Sequence, residues 1–259
     1  MEPAPQSLIP VAEALANAAG EVLRRHFRNL DQVEDKADAT PVTVADREAE
    51  AVMRDILAGE CPEHGILGEE MGAENTDAEY VWVLDPIDGT KSFVTGKPLF
   101  GTLIGLTHQG CPVLGIIDQP ILGERWIGAT GMLASFSQGP AKTRSCASLA
   151  DAWGYTTSPD MFADGDERDG FERLRRSVKH MLYGADCYAY GLVAAGFADL
   201  VCEADLQPYD YCALVPVIES AGGVMSDWAG KPLDLGSDGR VLAAGDAGLH
   251  AAALKILQG

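Results

Sequence analysis

The chain is poor in the features that mark membrane, metal-thiolate and nucleic-acid-binding proteins. No apolar run approaches the roughly 18 residues that a membrane-spanning helix needs. The six cysteines form no CxxC pair and the histidines stand singly, which argues against a zinc site or a disulfide framework. Lys and Arg number 19 against 39 Asp and Glu, so the chain lacks the basic surface that binds a nucleic acid or an anionic membrane.

The N-terminal stretch "MEPAPQSLIPVAEALANAAG" also lacks the basic start and the cleavage site of a signal peptide. We therefore expect a cytoplasmic protein whose cysteines are reduced and buried. Most of the formal charge of −20 is expected to form a solvated acidic surface, with some of the carboxylates acting as metal ligands.

Hydrophobic periodicity predicts helices in the first part of the chain. Apolar stripes indicate one helix over residues 8–27 and a second over residues 45–57. Thr43 and Asp46 form an N-cap pair for the second helix, and Gly59 is placed to end it. The N-terminal segment is therefore expected to supply two amphipathic helices.

The remainder of the chain mixes strands and helices. The apolar strand "YVWVLD" is followed by several strands over residues 99–131, whereas residues 138–185 receive no assigned element. The last third alternates helices and strands, with one helix predicted over residues 208–222, and this alternation indicates layered α/β packing. Because there is no internal repeat or separating linker, we expect one domain over residues 1–259, with halves of about 1–137 and 138–259.

The motif "WVLDPIDGTKSF" places two carboxylates at the end of the apolar strand. Pro86 holds Asp85 extended and predicts that the strand stops there. The short gap then lets Asp85 and Asp88 point at one small volume, where their like charges repel unless a cation or a proton lies between them. Oxygen ligands without His or Cys suit Mg²⁺ or Mn²⁺ better than zinc.

Gly89 and Thr90 follow the two carboxylates and open a possible helix. The first N–H groups of a helix have no partner within the helix and form an anion-binding site. The motif therefore combines a place for a cation with a place for a phosphate.

Each acidic motif also has a plainer interpretation. Asp, Pro and Gly are common turn formers, and Asp is a common N-cap. Taken singly, the motif would be a turn, Glu69 and Glu70 would lie on an exposed loop, and Asp210 would cap a helix. Their combination in one chain favours a shared acidic site.

Three motifs make the chain resemble the inositol monophosphatase family of metal-dependent sugar and alcohol phosphatases. They are "GEE" at residues 68–70, "WVLDPIDGTKSF" at 82–93 and "PYDYCALVPVIESAGG" at 208–223, and their order and spacing fit over roughly residues 8–256. The resemblance implies an αβαβα sandwich, usually a homodimer. It also implies hydrolysis of a small phosphomonoester with two or three Mg²⁺ ions, with Mn²⁺ as an alternative.

The same resemblance assigns metal ligands. Glu69 and Asp85, with the carbonyl of Ile87, would hold the first ion. Asp85, Asp88 and Asp210 would hold the second, and Glu69 would also face a weaker third ion. Divalent ions at these positions would invert the local negative field, so that an anionic substrate can approach.

The resemblance further implies residues for phosphate binding and catalysis. Gly89 and Thr90 would bind the phosphate through their backbone N–H groups. Thr90 and Asp46 would orient the attacking water, with Lys36 close by, and Glu70 would support the metal ligands without touching the metal.

Substrate preference depends on a different stretch of sequence. Family members that act on inositol phosphate tend to have a small neutral residue at the position of Asp186 and a tryptophan at that of Tyr209. The stretch "GADCYAY" instead resembles the histidinol-phosphate phosphatase branch, which closes histidine biosynthesis. That branch commonly has glycine at the position of Ala185, a small departure here.

The chemistry of histidinol phosphate explains why carboxylates matter for this preference. The substrate carries an ammonium group and an imidazole, so its pocket needs acceptors and negative charge. Asp186 and Glu203, beside Asp88 and Asp210, are predicted to supply them. The plainer alternative is that Asp186 caps the helix that begins at Cys187.

Two other functions are weighed against histidinol-phosphate hydrolysis. One is an inositol-1-monophosphatase or a broad sugar-phosphate phosphatase of the same family. The other is a catalytically inactive relative that serves as a binding or regulatory protein, which would have lost a metal ligand or the water-orienting pair. The sequence retains both.

Overall fold

Two N-terminal helices form the first layer of the computed structural model, which describes residues 5–29, 33–35, 41–137 and 139–259. The first elements are a 3-10 turn (Gln6–Leu8), helix α1 (Ile9–His26), the antiparallel strands β1 (Val33–Asp35) and β2 (Pro41–Thr43), and helix α2 (Val44–Glu60). Both predicted helices are confirmed. Leu15 and Leu23 of α1 and Met53 of α2 lie fully buried between the two helices and the sheet that follows.

Helix α2 begins with the predicted capping box. The Thr43 hydroxyl accepts a hydrogen bond from the Ala45 N–H (3.1 Å), and the Asp46 carboxylate accepts one from the Thr43 N–H (2.8 Å). The predicted stop at Gly59 is wrong, because the helix continues through Glu60. Gly59 costs the last turn some stability but does not end it.

Among the described residues, eight strands form the larger sheet in the order β10-β9-β8-β7-β6-β5-β3-β4, with β3 and β5 parallel and the other pairs antiparallel. The strands are β3 (Gly65–Gly68), β4 (Gly72–Glu74), β5 (Tyr80–Asp88), β6 (Gly101–His108), β7 (Cys111–Gln119), β8 (Glu124–Ala129), β9 (Ser135–Phe136) and β10 (Gly139–Pro140). Helix α3 (Thr90–Val94) follows β5 directly. The strands predicted within 99–131 are confirmed.

A second sheet of five strands, again counted over the described ranges, has the order β12-β11-β13-β15-β14. The strands are β11 (Trp153–Thr156), β12 (His180–Tyr183), β13 (Leu200–Glu203), β14 (Val224–Ser226) and β15 (Val241–Ala244). The accompanying helices are α4 (Asp166–Ser177), α5 (Cys187–Ala194), α6 (Pro208–Tyr211), α7 (Leu214–Ser220) and α8 (Ala247–Gln258), with 3-10 turns at Leu149–Asp151 and Pro159–Met161.

Two sequence-based assignments in this half need correction. The stretch 138–185, which received no element, contains β11, α4 and β12. Its charged run forms helix α4, which buries Phe171 and Leu174 on one face and exposes its charges on the other. The motif from Pro208 onward forms two short helices, α6 and α7, rather than one.

Three apolar cores separate five layers, so the predicted αβαβα sandwich is confirmed. One core lies between α1, α2 and the larger sheet, and a second lies around α5 and α7 between the two sheets. The third lies between the smaller sheet and helices α4 and α8. Because α5, α6 and α7 occupy the middle layer, their ends can reach β5 at the heart of the larger sheet.

A row of three glycines brings the middle layer close to the larger sheet. Gly105, Gly115 and Gly128 are directly paired neighbours on β6, β7 and β8. A side chain at Gly115 would overlap the Ala213 backbone, and one at Gly128 would overlap the backbone of Pro216 and Val217. The row therefore lets the segment from α6 to α7 lie directly on the sheet, which carries Asp210 towards β5.

No helix in the described part of the chain is both long enough and apolar enough to cross a membrane.

The imidazole of His250 gives the fold a testable dependence on pH. Only 6% of this residue is exposed, its Nε2 lies 3.0 Å from the Ser226 hydroxyl, and burial lowers its pKa below the ordinary value of 6.5. Below pH 6.5 the unfolded chain therefore binds a proton that the native state resists. We expect the free energy of unfolding to fall as the pH drops through 6.5, by up to about 1.4 kcal/mol per pH unit.

The His250→Gln variant should lose this part of the slope, measured by urea unfolding between pH 5 and pH 8. The exposed His180→Gln variant is the control. Equal slopes in wild type and His250→Gln would contradict the assignment.

Candidate active site

A cleft of about 550 Å³ gathers most of the predicted site residues at the end of β5. They come from the three sequence motifs and from the stretch before the third motif. The residues that line the cleft include Glu69, Asp85, Ile87, Asp88, Gly89, Thr90, Asp186 and Asp210. The ends of β3 and β5 lie beside the starts of α5 and α6. Residues that are far apart in the sequence therefore line the same cleft.

Strand β5 reaches the cleft through an irregular pairing with β6, and the prediction that the strand stops at Pro86 is wrong. Pro86 does not end the strand, because pairing with β6 resumes at Asp88 after a register shift that begins at Asp85. The Thr102 hydroxyl bridges the irregular region by donating to the Pro86 carbonyl (2.8 Å). In a regular strand, residues three apart point to opposite faces, whereas the extra residue of a bulge lets Asp85 and Asp88 share one side.

Three carboxylates form the centre of the cleft. Asp85, Asp88 and Asp210 each offer one oxygen, and these three oxygens lie within 4.8 Å of one another. Glu69 lines the same cleft beside Asp85. The structure therefore brings the predicted carboxylate ligands together.

Each of the three central carboxylates also accepts a backbone hydrogen bond. Asp85 Oδ1 accepts from the Ile87 N–H (2.9 Å), Asp210 Oδ2 accepts from the Gln207 N–H (2.6 Å), and Asp88 Oδ2 accepts from the Cys187 N–H. The turn and cap interpretations of Asp85 and Asp210 are thus also confirmed. These bonds orient the carboxylates and do not compete with a metal-binding role, since a carboxylate has two oxygens and about four acceptor positions.

Burial among like charges makes the ionised state of this cluster costly. Burial, followed by the charges of Glu69 and Asp88, raises the pKa of Asp85 well above its ordinary value. Burial and the charge of Asp186 act in the same way on the pKa of Asp88, and burial raises the pKa of Asp210 to about 7. Hard, oxygen-only donors that repel one another in this way fit a divalent cation such as Mg²⁺ or Mn²⁺.

The turn after β5 requires glycine for two reasons. Gly89 has a positive φ of 88°, and a side chain there would come within 2.9 Å of the Asp186 carboxylate. Helix α3 begins at the next residue, Thr90, so its first N–H groups lie at the cleft. This is the arrangement that a bound phosphate needs.

The residues predicted to orient water have distinct environments. Asp46 is fully buried, its Oδ2 accepts from the N–H and the hydroxyl of Thr43, and no described residue donates to its Oδ1. Burial raises its pKa to about 6. The Thr90 hydroxyl donates to the Ile87 carbonyl (3.0 Å). Lys36 lies outside the described residues.

Glu70 contributes through its backbone, and the residue that holds it was missed in the sequence. The N–H of Glu70 donates to the carboxylate of Glu50 (2.8 Å), which is fully buried on α2. Glu50 shares a helix face with Asp46, Met53 and Leu57. The sequence signal that could have identified Glu50 is that a charged residue lies within the apolar stripe of α2.

Asp186 does not cap α5 with its side chain. It occupies the N-cap position, but the Cys187 N–H donates to Asp88 instead, and Asp186 Oδ2 lies 3.3 Å from the Ser92 hydroxyl that donates to it. The backbone at Ala185 and Asp186 has φ values of 101° and 47°, which non-glycine residues rarely adopt. Asp186 therefore faces the Gly89 turn at the expense of local backbone strain.

Glu203 lies deeper, in an inner pocket of about 270 Å³ that Asp186 and Asp210 also line. Its two oxygens accept from the Thr157 N–H (2.8 Å) and the Tyr190 hydroxyl (2.9 Å), and burial raises its pKa to about 7. Thr157 and Tyr190 were missed because their contacts depend on the pairing of β11 with β13 and on the seating of α5.

The fold and the cleft together are those of a metal-dependent phosphatase. The family model described as the inositol monophosphatase family matches residues 4–259, and the chain belongs to this family. The match covers the whole cleft and all three motifs.

Individual relatives and a solved structure agree with this family. The chain is 51% identical to the bifunctional phosphatase IMPL2, chloroplastic, of Arabidopsis thaliana, over 96% of this chain and 74% of the relative. It is 37% identical to a histidinol-phosphatase of Mycobacterium tuberculosis, over 85% and 87% of the two chains. An inositol monophosphatase structure from Zymomonas mobilis superposes with a TM-score of 0.90 at 46% identity, over 98% and 99% of the chains.

Asp85→Asn tests the electrostatics of the carboxylate cluster. Removing one buried charge relieves repulsion, so the metal-free variant should be at least as stable as the metal-free wild type. Mg²⁺ at about 100 times its dissociation constant should stabilise the wild type by about 2.7 kcal/mol and the variant hardly at all. Thermal unfolding with Mg²⁺ and with EDTA measures both effects.

Asp55→Asn, at an exposed position of α2, is the matched control and should respond to Mg²⁺ like the wild type. An Asp85→Asn protein with an undiminished Mg²⁺ response would contradict a role for Asp85 in metal binding.

Proposed function

We propose that the protein is a Mg²⁺-dependent histidinol-phosphate phosphatase that releases L-histidinol and phosphate, as the last dephosphorylation in histidine biosynthesis. The observation that carries the proposal is the position of Asp186. Its half-buried carboxylate lies against the Gly89 turn at one side and lines the inner pocket at the other. A substrate whose phosphate binds at the turn would therefore place its cationic end beside this carboxylate.

The metal ions are assigned to the acidic cluster. Glu69, Asp85 and the Ile87 carbonyl would hold one ion, Asp85, Asp88 and Asp210 a second, and Glu69 a weaker third. When bound, Mg²⁺ or Mn²⁺ supplies positive charge that neutralises the phosphate and lowers the pKa of a bound water. The like charges of the cluster support this assignment, because burial and the neighbouring carboxylates raise the pKa values of Asp85 and Asp88, and a divalent cation would relieve that repulsion.

The remaining polar residues bind the phosphate and handle the water. The N–H groups of Gly89 and Thr90 bind the phosphate at the start of α3. Asp46 Oδ1, which is buried and receives no hydrogen bond from a described residue, is available to accept a proton from the attacking water together with Thr90. Lys36 is proposed to lie nearby. The oxygen of the attacking water bonds to phosphorus as the bond from phosphorus to the alcohol oxygen breaks. The departing alcohol oxygen takes up a proton from solvent, and Asp46 returns the proton that it accepted to solvent.

The substrate end is assigned to Asp186 and Glu203, with Asp88 and Asp210 at its border. The ammonium group would bind the Asp186 carboxylate, and the imidazole would enter the inner pocket towards Glu203. The names of two relatives, a histidinol-phosphatase and a bifunctional phosphatase, are consistent with this substrate.

The second candidate is an inositol-1-monophosphatase or a broad sugar-phosphate phosphatase. The name of the Zymomonas mobilis protein favours it, since that structure shares 46% identity with the chain. The discriminating feature is again Asp186, because a polyol needs hydrogen-bonding partners but no negative countercharge.

The proposal extends to the compartment and the assembly. All six cysteines are free thiols, which fits the reducing cytoplasm, although the Arabidopsis relative is named as chloroplastic. A homodimer is proposed from the family resemblance, and analytical ultracentrifugation would measure the oligomeric state.

A substrate panel tests the proposed activity directly. Phosphate release is measured from histidinol phosphate, inositol 1-phosphate, fructose 1,6-bisphosphate and a nucleotide bisphosphate, each with Mg²⁺ and with a chelator. We expect the highest kcat/KM for histidinol phosphate and loss of activity with chelator. Activity that survives chelation would refute the metal requirement, and an equal or higher kcat/KM for inositol 1-phosphate would refute the substrate.

Asp186→Asn tests the proposed ammonium contact. Asparagine keeps the shape of the side chain and enters positive φ more readily than most residues. Loss of a charged hydrogen bond should lower kcat/KM for histidinol phosphate by about 10- to 100-fold, while kcat/KM for inositol 1-phosphate hardly changes. Equal losses on both substrates would show that Asp186 acts only through local structure.

A further inference from the structure

The turn that carries Glu69 is held by a buried ion pair on a neighbouring helix. Glu50 of α2 is fully buried, and its Oε1 accepts a hydrogen bond from Arg54 Nε (2.8 Å). Its Oε2 accepts from the Glu70 N–H (2.8 Å), and Oε1 also accepts from the Met71 N–H (3.1 Å). Both oxygens therefore act on the two residues that follow Glu69.

Arg54 holds the far side of the same turn. Its guanidinium donates to the Gly72 carbonyl and lies 3.4 Å from the Glu74 carboxylate. The pair of Glu50 and Arg54 thus contacts the turn between β3 and β4 at three successive backbone positions, from Glu70 to Gly72. Hydrogen bonds to a buried charged group are about twice as strong as neutral ones.

The pair reaches the turn because position 68 has no side chain. A Cβ at Gly68 would overlap the Glu50 carboxylate and come within 2.9 Å of an Arg54 nitrogen. Gly68 immediately precedes Glu69. The close approach therefore depends on both residues: Glu50 supplies the carboxylate, and Gly68 leaves room for it.

The other side of Glu69 is held by β5. The Glu69 N–H donates to the Leu84 carbonyl (3.1 Å), one residue before Asp85. Glu69 is thus flanked by one backbone bond to β5 and by two bonds to Glu50. Its carboxyl group lies next to that of Asp85, whose pKa it raises through charge and a hydrogen bond. A shift of the Glu50 contact would therefore change the distance between these two carboxylates.

We propose that Glu50 is a positioning residue that sets the affinity of the metal site formed with Glu69, acting through the backbone of residues 70 and 71. This positioning role rests on the proposed function, in which Glu69 and Asp85 share a metal ion. Arg54 orients the Glu50 carboxylate through the contact of its Nε (2.8 Å), and Gly68 leaves the space in which that carboxylate sits.

The test compares Glu50→Gln with Glu48→Gln, a matched change on the same helix at a surface residue that pairs with Arg25 and His26. Mn²⁺ binding to the substrate-free protein is measured by titration calorimetry, and kcat is measured against Mg²⁺ concentration. We expect Glu50→Gln to raise the Mn²⁺ dissociation constant by about 10-fold or more, with kcat at saturating Mg²⁺ within about 3-fold of wild type. Glu48→Gln should change neither quantity.

A second variant keeps the proposal testable if Glu50→Gln does not fold. Gly68→Ala displaces the Glu50 carboxylate from the opposite side and should weaken Mn²⁺ binding to a similar degree. In a Glu50→Ala background the same change meets no carboxylate and should have little further effect.

Two results would overturn the positioning role. One is a folded Glu50→Gln or Gly68→Ala protein with the Mn²⁺ affinity of wild type, and the other is a Gly68→Ala effect that is undiminished in the Glu50→Ala background. A wild type that binds no Mn²⁺ would overturn the proposed function itself and the inference with it.

Discussion

The repulsion among a few closely spaced carboxylates is the constraint on which the rest of this structure depends. Asp85 is buried, Asp88 and Asp210 are half-buried, and one oxygen of each lies within 4.8 Å of the others, so their like charges repel. Carboxylates in such an arrangement tend to move apart or to take up protons, unless a cation lies between them or the surrounding chain holds them in place. Here each carboxylate accepts a backbone N–H, so the scaffold maintains a geometry that the charges themselves disfavour.

The five-layer fold supplies those N–H groups from separate places. The irregular end of β5 orients Asp85, the start of α5 orients Asp88, and the start of α6 orients Asp210. The glycine row across β6, β7 and β8 brings the middle layer near enough for the last of these contacts. The site is therefore a product of packing between layers rather than of any one loop.

The carboxylates that line the cleft could be predicted from the sequence as candidate site residues, whereas the residues that contact and position them could not. "DPIDGT", "GEE" and "PYDYCAL" combine turn chemistry with acidic residues at short range, so local rules place Asp85, Asp88 and Asp210 in candidate roles. Helices α1 and α2 follow from periodic apolar residues. In contrast, Glu50 and Tyr190 act across distances of 20 and 13 residues, and only the assembled layers show their partners.

Local rules also failed where tertiary contacts overrode them. Proline normally ends a strand, yet β5 continues past Pro86 because its pairing with β6 shifts register there. The charged run of α4 has few apolar residues, but burial of Phe171 and Leu174 is enough to fix it as a helix. Asp186 has the sequence context of a helix cap, but the N–H of Cys187, the first residue of α5, donates to Asp88 of β5 instead.

The contact between Gly89 and Asp186 has a consequence for how the family can diversify. The absence of a side chain at residue 89 serves both the turn and the neighbouring carboxylate, so a substitution at 89 would strain the backbone and displace the Asp186 carboxylate. Tyr209, which lines the same cleft, has no positive φ and is not subject to this pair of constraints. Under the proposed function, the alcohol that is accepted can therefore change through residues such as Tyr209 while Gly89 stays the same.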